Sequence, residues 1–152
     1  MDINAIRAQL ESDEGKESVV YLDNAKPPNG PNPTGWIGHN LTKEEQQLYP
    51  VGATIPEDVG EQWFNDDVDT AIKGCEETPD IPFYESPEVV QDSLVNMAFN
   101  MGVDELSKFY GFLSLLRERN WRLAAAHLLT LPYAQEVPER AARIAAAIVS
   151  AA

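Results

Sequence analysis

The sequence predicts an α+β fold, with a small β-sheet near the N-terminus followed by helices to the end of the chain. Three observations carry this. Residues 19 to 37 hold two short runs of strand composition separated by a proline-rich loop. Apolar residues recur at helical intervals almost everywhere after that. Capping residues, prolines and glycines then stand at the breaks between the helical runs. With 152 residues, 43% of them hydrophobic, the chain is long enough for a substantial core and for one domain or two closely joined lobes.

The elements follow in order. Ile3, Ile6 and Leu10 lie at three- and four-residue spacing behind Asp2, which predicts a short amphipathic helix. Gly15 is its expected C-terminal stop, leaving Glu14 at the helix end. Val19-Val20-Tyr21-Leu22 has strand composition, and Thr34 to Ile37 forms a second extended stretch. The loop from 24 to 33, with four prolines and Gly30, is too long for a tight hairpin. Thr42 with Glu45, and Thr54 with Glu57, have capping-box spacing. Ser86-Pro87 and Val137-Pro138 place proline where a first helical turn tolerates it, and Gly74 and Gly102 are expected stops. Helices are predicted over 56–73, 87–101, 108–119, 121–130 and 138–150. The run through Val89, Val90, Leu94, Val95, Met97, Ala98 and Met101 is apolar on several sides, as expected of a central helix.

Composition excludes several function classes. A formal net charge of -14 argues against a nucleic acid partner, because such proteins cluster Lys and Arg against phosphates. The charge is uneven, with 20 acidic and 5 basic side chains in residues 1–103 against 5 and 6 in residues 104–152. An acidic solvated face accounts for this most simply. Cys75 is the only cysteine, and His39 and His127 have no ligand-spaced companions, so neither a disulfide scaffold nor a metal is expected. The stretch from Ile144 to Ala152 is too short to span a bilayer, and the N-terminus lacks a signal-peptide profile. Stable membrane insertion is not expected; synthesis in the cytoplasm is.

The stretch that bears chemistry runs from Glu14-Gly15 through Tyr21-x-Asp23 to Thr34 and Gly38-His39. Glycoside cleavage requires a protonated carboxyl for the leaving oxygen and a second carboxylate to stabilise charge or activate water. Glu14 and Asp23 can supply that pair. A carboxylate at a helix C-terminus faces the negative end of the macrodipole, which disfavours its ionised form, as a general acid requires. The same residues have structural readings: Glu11 to Glu14 as an acidic solvated helix face, Asp23 as the start of a turn, Thr34 as a strand residue. Residue type and spacing leave both open.

The run Glu14-Gly15, Tyr21-Leu22-Asp23, Thr34, Gly38-His39, Leu41-Thr42 resembles the catalytic signature of the phage lysozymes of glycoside hydrolase family 24. Phe64-Asn65-Asp66-Asp67-Val68-Asp69-Thr70-Ala71, Asn96-Met97-Ala98-Phe99-Asn100-Met101-Gly102, Asn120-Trp121-Arg122-Leu123-Ala124-Ala125 and Pro138-Glu139-Arg140-Ala141-Ala142-Arg143 resemble the T-even members in the same order. The resemblance implies a lysozyme-like fold over residues 1–152. Its active-site lobe would span about 13–55, its connecting helix about 56–74, and its helical lobe about 75–152 together with helix 1–12. It further implies that Glu14 is the general acid, Asp23 the second carboxylate, and Thr34 the hydroxyl that helps place a water beside Asp23. Such an arrangement inverts the anomeric carbon, with the carboxyls roughly 6.5–9.5 Å apart.

Arg140 matches an arginine that pairs with the catalytic glutamate, and His39 with Asp67 matches an ion pair that supports the fold. Phe99 matches a cleft position, and Asn40, Phe112 and His127 occupy cleft positions where the T-even proteins have other side chains. Trp121, Met97 and Met101 are expected in the core. The implied activity is a cofactor-free, monomeric muramidase of the endolysin kind. It would cut the peptidoglycan glycan strand between N-acetylmuramic acid and N-acetylglucosamine in the periplasm, reaching the wall through a holin or by virion delivery. A non-catalytic wall-binding or virion component with the same fold is the alternative, and a toxin-like effector with the same chemistry a third reading.

Three departures accompany the resemblance: a longer loop over 24–33, Trp36 in place of a glycine of the usual Gly-x-Gly-His run, and a shorter segment after Thr42. All are expected to border the cleft and reshape substrate access. The acidic charge departs too, since such lysozymes are usually basic and peptidoglycan is itself acidic.

Overall fold

The computed structural model describes residues 1–152 and bears out the α+β class. Helix α1 (Ile3–Glu14) ends at Gly15, whose φ of +72° and N–H bond to the Glu11 carbonyl close the last turn. The sheet is antiparallel in the order β1 (Glu17–Leu22), β2 (Pro33–Trp36), β3 (His39–Asn40). Glu17 pairs with Trp36, Tyr21 with Thr34, and Thr34 in turn with Asn40, with an irregularity between Glu17 and Tyr21. The other edge of β1 is covered by residues 52–55: the Val20 N–H bonds the Ala53 carbonyl and the Ile55 N–H bonds that of Ser18. This leaves the backbone polar groups of the small sheet largely satisfied.

Helix α2 (Lys43–Leu48) opens with the expected capping box: Thr42 Oγ1 accepts from the Glu45 N–H and the Glu45 carboxylate accepts from the Thr42 N–H. The remaining helices are α3 (Glu57–Glu77), α4 (Glu88–Met101), α5 (Val103–Ser107), α6 (Tyr110–Arg117), α7 (Trp121–Leu128), α8 (Pro132–Glu136) and α9 (Pro138–Val149). The chain separates into two compact units, residues 4–68 and residues 1–3 with 69–152, the boundary falling within α3. Residues 4–12 thus group with the sheet rather than with the helical part, as had been expected of helix 1–12.

In the sheet unit the core is Ile6, Leu10, Val20, Trp36, Ile37, Leu41, Ile55, Trp63, Phe64 and Val68. In the helical unit α4 buries Val90, Leu94, Val95 and Met97 completely, the central role that its apolar circumference predicts. There α7 packs on α9 and α6, α8 on α9, and α4 on α5 and α9. Cys75 is wholly buried, and burial, with the Glu76 charge added, pushes its thiol up to about 12.

Several local expectations fail for identifiable reasons. Gly74 does not stop α3, which continues three residues further to Glu77. It sits inside the helix where a Cβ would come within 3.1 Å of the Val103 side chain, so its smallness serves packing. Thr54 caps nothing; it bridges to Val19 beside β1, and α3 begins after Pro56. Pro87 is the N-cap of α4 rather than its first helical residue, whereas Pro138 takes the first turn of α9 as expected.

Candidate active site

Of the candidate residues, Glu14, Asp23, Thr34, His39, Asn40 and Asp67 belong to the sheet unit. Glu14 is the last residue of α1 and half-buried. Its carboxylate lies against the backbone of Gly38: a Cβ there would be 2.9 Å from Glu14 Oε2 and 3.1 Å from Cδ. Gly38 also has φ +66°, so both its conformation and its lack of a side chain are used at this point.

Asp23 follows β1 directly. Its Oδ1 accepts from the Ala25 N–H at 3.1 Å and the Asn32 N–H at 2.8 Å, and its Oδ2 accepts from Asn32 Nδ2 at 3.2 Å. The first of these is an Asx-turn, so the turn reading of Asp23 is true of its local structure while the carboxylate remains available to chemistry. Desolvation pushes this carboxyl up, but the bonds from Asn32, Ala25 and Thr34 together outweigh it and hold Asp23 below the ordinary aspartate value. The carboxylate is thereby kept ionised, as a base or charge stabiliser must be.

Thr34 is buried in β2, its Oγ1 2.9 Å from both the Asn32 carbonyl oxygen and Asn40 Oδ1. Tyr21 is its cross-strand partner. Partial burial, then the charges of Glu14, Glu17 and Asp23, push the Tyr21 phenol up, so its hydroxyl stands in the field of both candidate carboxylates. Asn32 and Tyr21 are the residues that sequence reasoning missed. Tyr21 was visible within the quoted run, but Asn32 grips Asp23 only because the loop over 24–33 doubles back, and the Asn32 amide is itself fixed by a second bond to the Asn29 carbonyl.

His39 lies in β3 with Nδ1 2.8 Å from Asp67 Oδ2 on α3 and Nε2 2.9 Å from Glu45 Oε2 on α2. Its ring stacks on Trp63 at 4.6 Å between centroids, and Tyr49 meets Trp63 edge-on. Burial lowers the His39 value, yet the bonds and charges of Asp67 and Glu45 outweigh burial and raise it. Trp36 corrects an expectation. It does not face a cleft; its indole is only 3% exposed and lies on α3, where a Cβ on Gly60 would stand 2.1 Å from the ring. Its Nε1 donates to Glu61 at 3.3 Å, and Lys16 Nζ lies 4.4 Å from the ring centroid. Its φ of +53° is a left-handed conformation of the kind that glycine adopts most easily.

Phe99, Phe112, His127 and Arg140 belong to the helical unit, on α4, α6, α7 and α9. Phe112 is fully buried, which corrects its expected sugar contact: it has no surface to offer and packs the core. His127 is half-buried against α6, where a Cβ on Gly111 would come 2.9 Å from its Nε2, and Phe99 is half-buried. Arg140 is 7% exposed in the first turn of α9.

No family model matches the chain. Two curated proteins of Dictyostelium discoideum are similar to it: Probable T4-type lysozyme 2 is 27% identical over 93% of this chain and 92% of its own length. Probable T4-type lysozyme 1 is 24% identical over 96% and 94%. The chain is T4-lysozyme-like. The likeness runs through both compact units. No helix of this lysozyme-like chain is long and apolar enough to cross a membrane.

Proposed function

We propose that this protein is an inverting muramidase that hydrolyses the β-1,4 bond between N-acetylmuramic acid and N-acetylglucosamine in peptidoglycan. The observation that carries the reading is the environment of Asp23, held ionised by Asn32, Ala25 and Thr34 on the sheet, in a chain whose Glu14 carboxyl is seated on Gly38. Glu14 gives its proton to the glycosidic oxygen as the bond from that oxygen to the anomeric carbon breaks. A water held by Thr34 and Asp23 attacks the opposite face and yields its proton to Asp23. The products are a sugar with an inverted anomeric hydroxyl and a free alcohol, and exchange with solvent returns the carboxyls to their starting states. In this reading Asn40, beside Thr34 on the sheet, contacts the glycan strand.

Release of phage progeny as an endolysin, with periplasmic access through a holin and action as a monomer, is the biological setting we propose. The two Dictyostelium relatives bear T4-type names outside any phage, so the chemistry and the setting are tested separately. Turbidity loss of permeabilised Gram-negative cells should be rapid with the wild type and slower by about 10²–10⁴-fold with Glu14→Gln. Equal clearing by both would overturn the role of Glu14, and no clearing by either would favour a non-catalytic wall-binding or virion component. NMR of the initial product should show the α-anomer, and a β-anomer would overturn inversion.

A further inference from the structure

Beyond the last pair of β1 and β2, Leu22 with Pro33, the ladder runs on to the next residues, where the Asp23 N–H donates to the Asn32 carbonyl at 3.0 Å. Asn32 gives its own N–H to the side chain of Asp23, meeting Oδ1 at 2.8 Å, and the Ala25 N–H reaches the same oxygen at 3.1 Å. A carboxylate oxygen has about two lone-pair sites, so Oδ1 is filled. Oδ2 accepts from Asn32 Nδ2 at 3.2 Å and keeps a second site. Nδ2 carries two protons, and the other goes to the Asn29 carbonyl at 2.7 Å. Both partners can only accept, which fixes the amide with its nitrogen toward them. The brace is itself held: the Asn29 N–H bonds the Lys26 carbonyl, and the two arms of the loop meet at Gly30, where a Cβ would stand 2.5 Å from that of Ala25.

A half-buried aspartate just past a strand end is free to turn about its side-chain bonds, whereas a base must present one oxygen to its water, where a misplacement of roughly 1 Å is costly. The loop supplies what the strand end lacks. We propose that Asn32 is a positioning residue: its side-chain amide, braced on the Asn29 carbonyl, holds the Asp23 carboxylate so that Oδ2 is the oxygen that takes the proton of the attacking water. This rests on the muramidase reading for its catalytic meaning. It gives the longer loop over 24–33 a task at the base, beside the substrate access expected of it. Asn32 and Ala25 are uncharged donors, and Lys26 is the loop's one charged side chain. The ionisable groups on the neighbouring elements are Tyr21 and Glu17 of β1 and Glu14 of α1.

The test is NMR titration of the full-length chain. In the wild type the Asn32 side-chain amide protons should shift with pH through the same midpoint as the Asp23 carboxyl carbon, and protons that do not follow Asp23 overturn the proposal. Asn32→Ala should raise the Asp23 midpoint by about half a pH unit, while the backbone amide at position 32 still reports the Asp23 titration. An unmoved midpoint overturns the proposal. So does a backbone amide that no longer follows Asp23, which would mean that the side chain holds the loop and not the carboxylate. If Asn32→Ala fails to fold, the wild-type titration decides alone. In wall-clearing kinetics Asn32→Ala should lower kcat by about tenfold with KM unchanged, and the acid limb of its pH profile should move up with the Asp23 midpoint. A raised KM with an unmoved acid limb would assign Asn32 to the sugar and overturn the proposal. A wild type that clears no walls strikes down the muramidase reading, while the titrations still decide whether Asn32 holds Asp23.

Discussion

A methyl group on Gly38 would have to share space with the Glu14 carboxylate, whose Oε2 lies 2.9 Å from where that Cβ would stand. Gly38→Ala also puts a side chain at φ +66°, a strain of about 1 kcal/mol. We expect the variant to fold with a slightly lowered Tm. Its wall-clearing rate should fall by about tenfold or more, since a displacement of roughly 1 Å at a catalytic group is enough for such losses. Unchanged clearing beside a lowered Tm would show that Gly38 matters to the fold alone. At this scale the sequence was legible only in part. Glu14, Asp23 and Thr34 stood out because their order and spacing resembled a known signature, whereas their residue types alone also suited a solvated helix face, a turn and a strand. Asn32 could not be found in this way. Its hold on Asp23 joins residues nine apart, across a loop whose course is set by tertiary packing rather than by any periodicity.

Elements are joined here by a histidine. His39 of β3 bonds the α2 capping carboxylate of Glu45 and Asp67 of α3 at once, so its protonation state affects how firmly both helices are held to the strand. The folded-state value of His39 is raised above its ordinary 6.5. Its contribution to stability is therefore complete below 6.5 and is lost as pH rises through the folded value. Burial acts to raise Glu45, but bonds to His39 and Thr42 outweigh it and bring it below its ordinary 4.5. Its contribution is present above 4.5 and is lost as pH falls through that lowered value. The clamp is strongest in the interval between. Unfolding free energies of wild type and His39→Asn, followed against pH, should differ most at pH 5 to 6, by up to about 1 kcal/mol more than in alkali, where loss of the Trp63 stack alone remains. A difference that stays constant with pH would refute the clamp. Long elements such as α3, α4 and α9 were legible because several turns of periodic apolar residues register clearly. The five-residue helices α5 and α8 and the two-residue strand β3 offer no full period to read. Gly74 misled because glycine as a helix stop and glycine as a close-packing residue look alike in sequence.

Across the whole molecule the net charge of -14 sets the encounter with an acidic wall. Like-charge repulsion beyond contact distance is screened within roughly 10 Å at 0.1 M salt. Added salt should therefore raise the initial rate of wall clearing from its low-salt value, and a rate that falls steadily from the lowest salt would contradict this. The α+β class itself was legible in full, since it rests on the change from strand composition to helical spacing after residue 37. The grouping of α1 was not, because a helix's own pattern states which face is buried and not against what. Cys75 has a practical consequence. As the single thiol, wholly buried and held near 12, it is silent toward alkylating reagents until its helix is uncovered. At mildly alkaline pH, the rate at which a thiol reagent consumes Cys75 should therefore time the opening of the helical unit. A fast reaction under native conditions would reveal openings far more frequent than global unfolding, and the chain would carry its own clock for them.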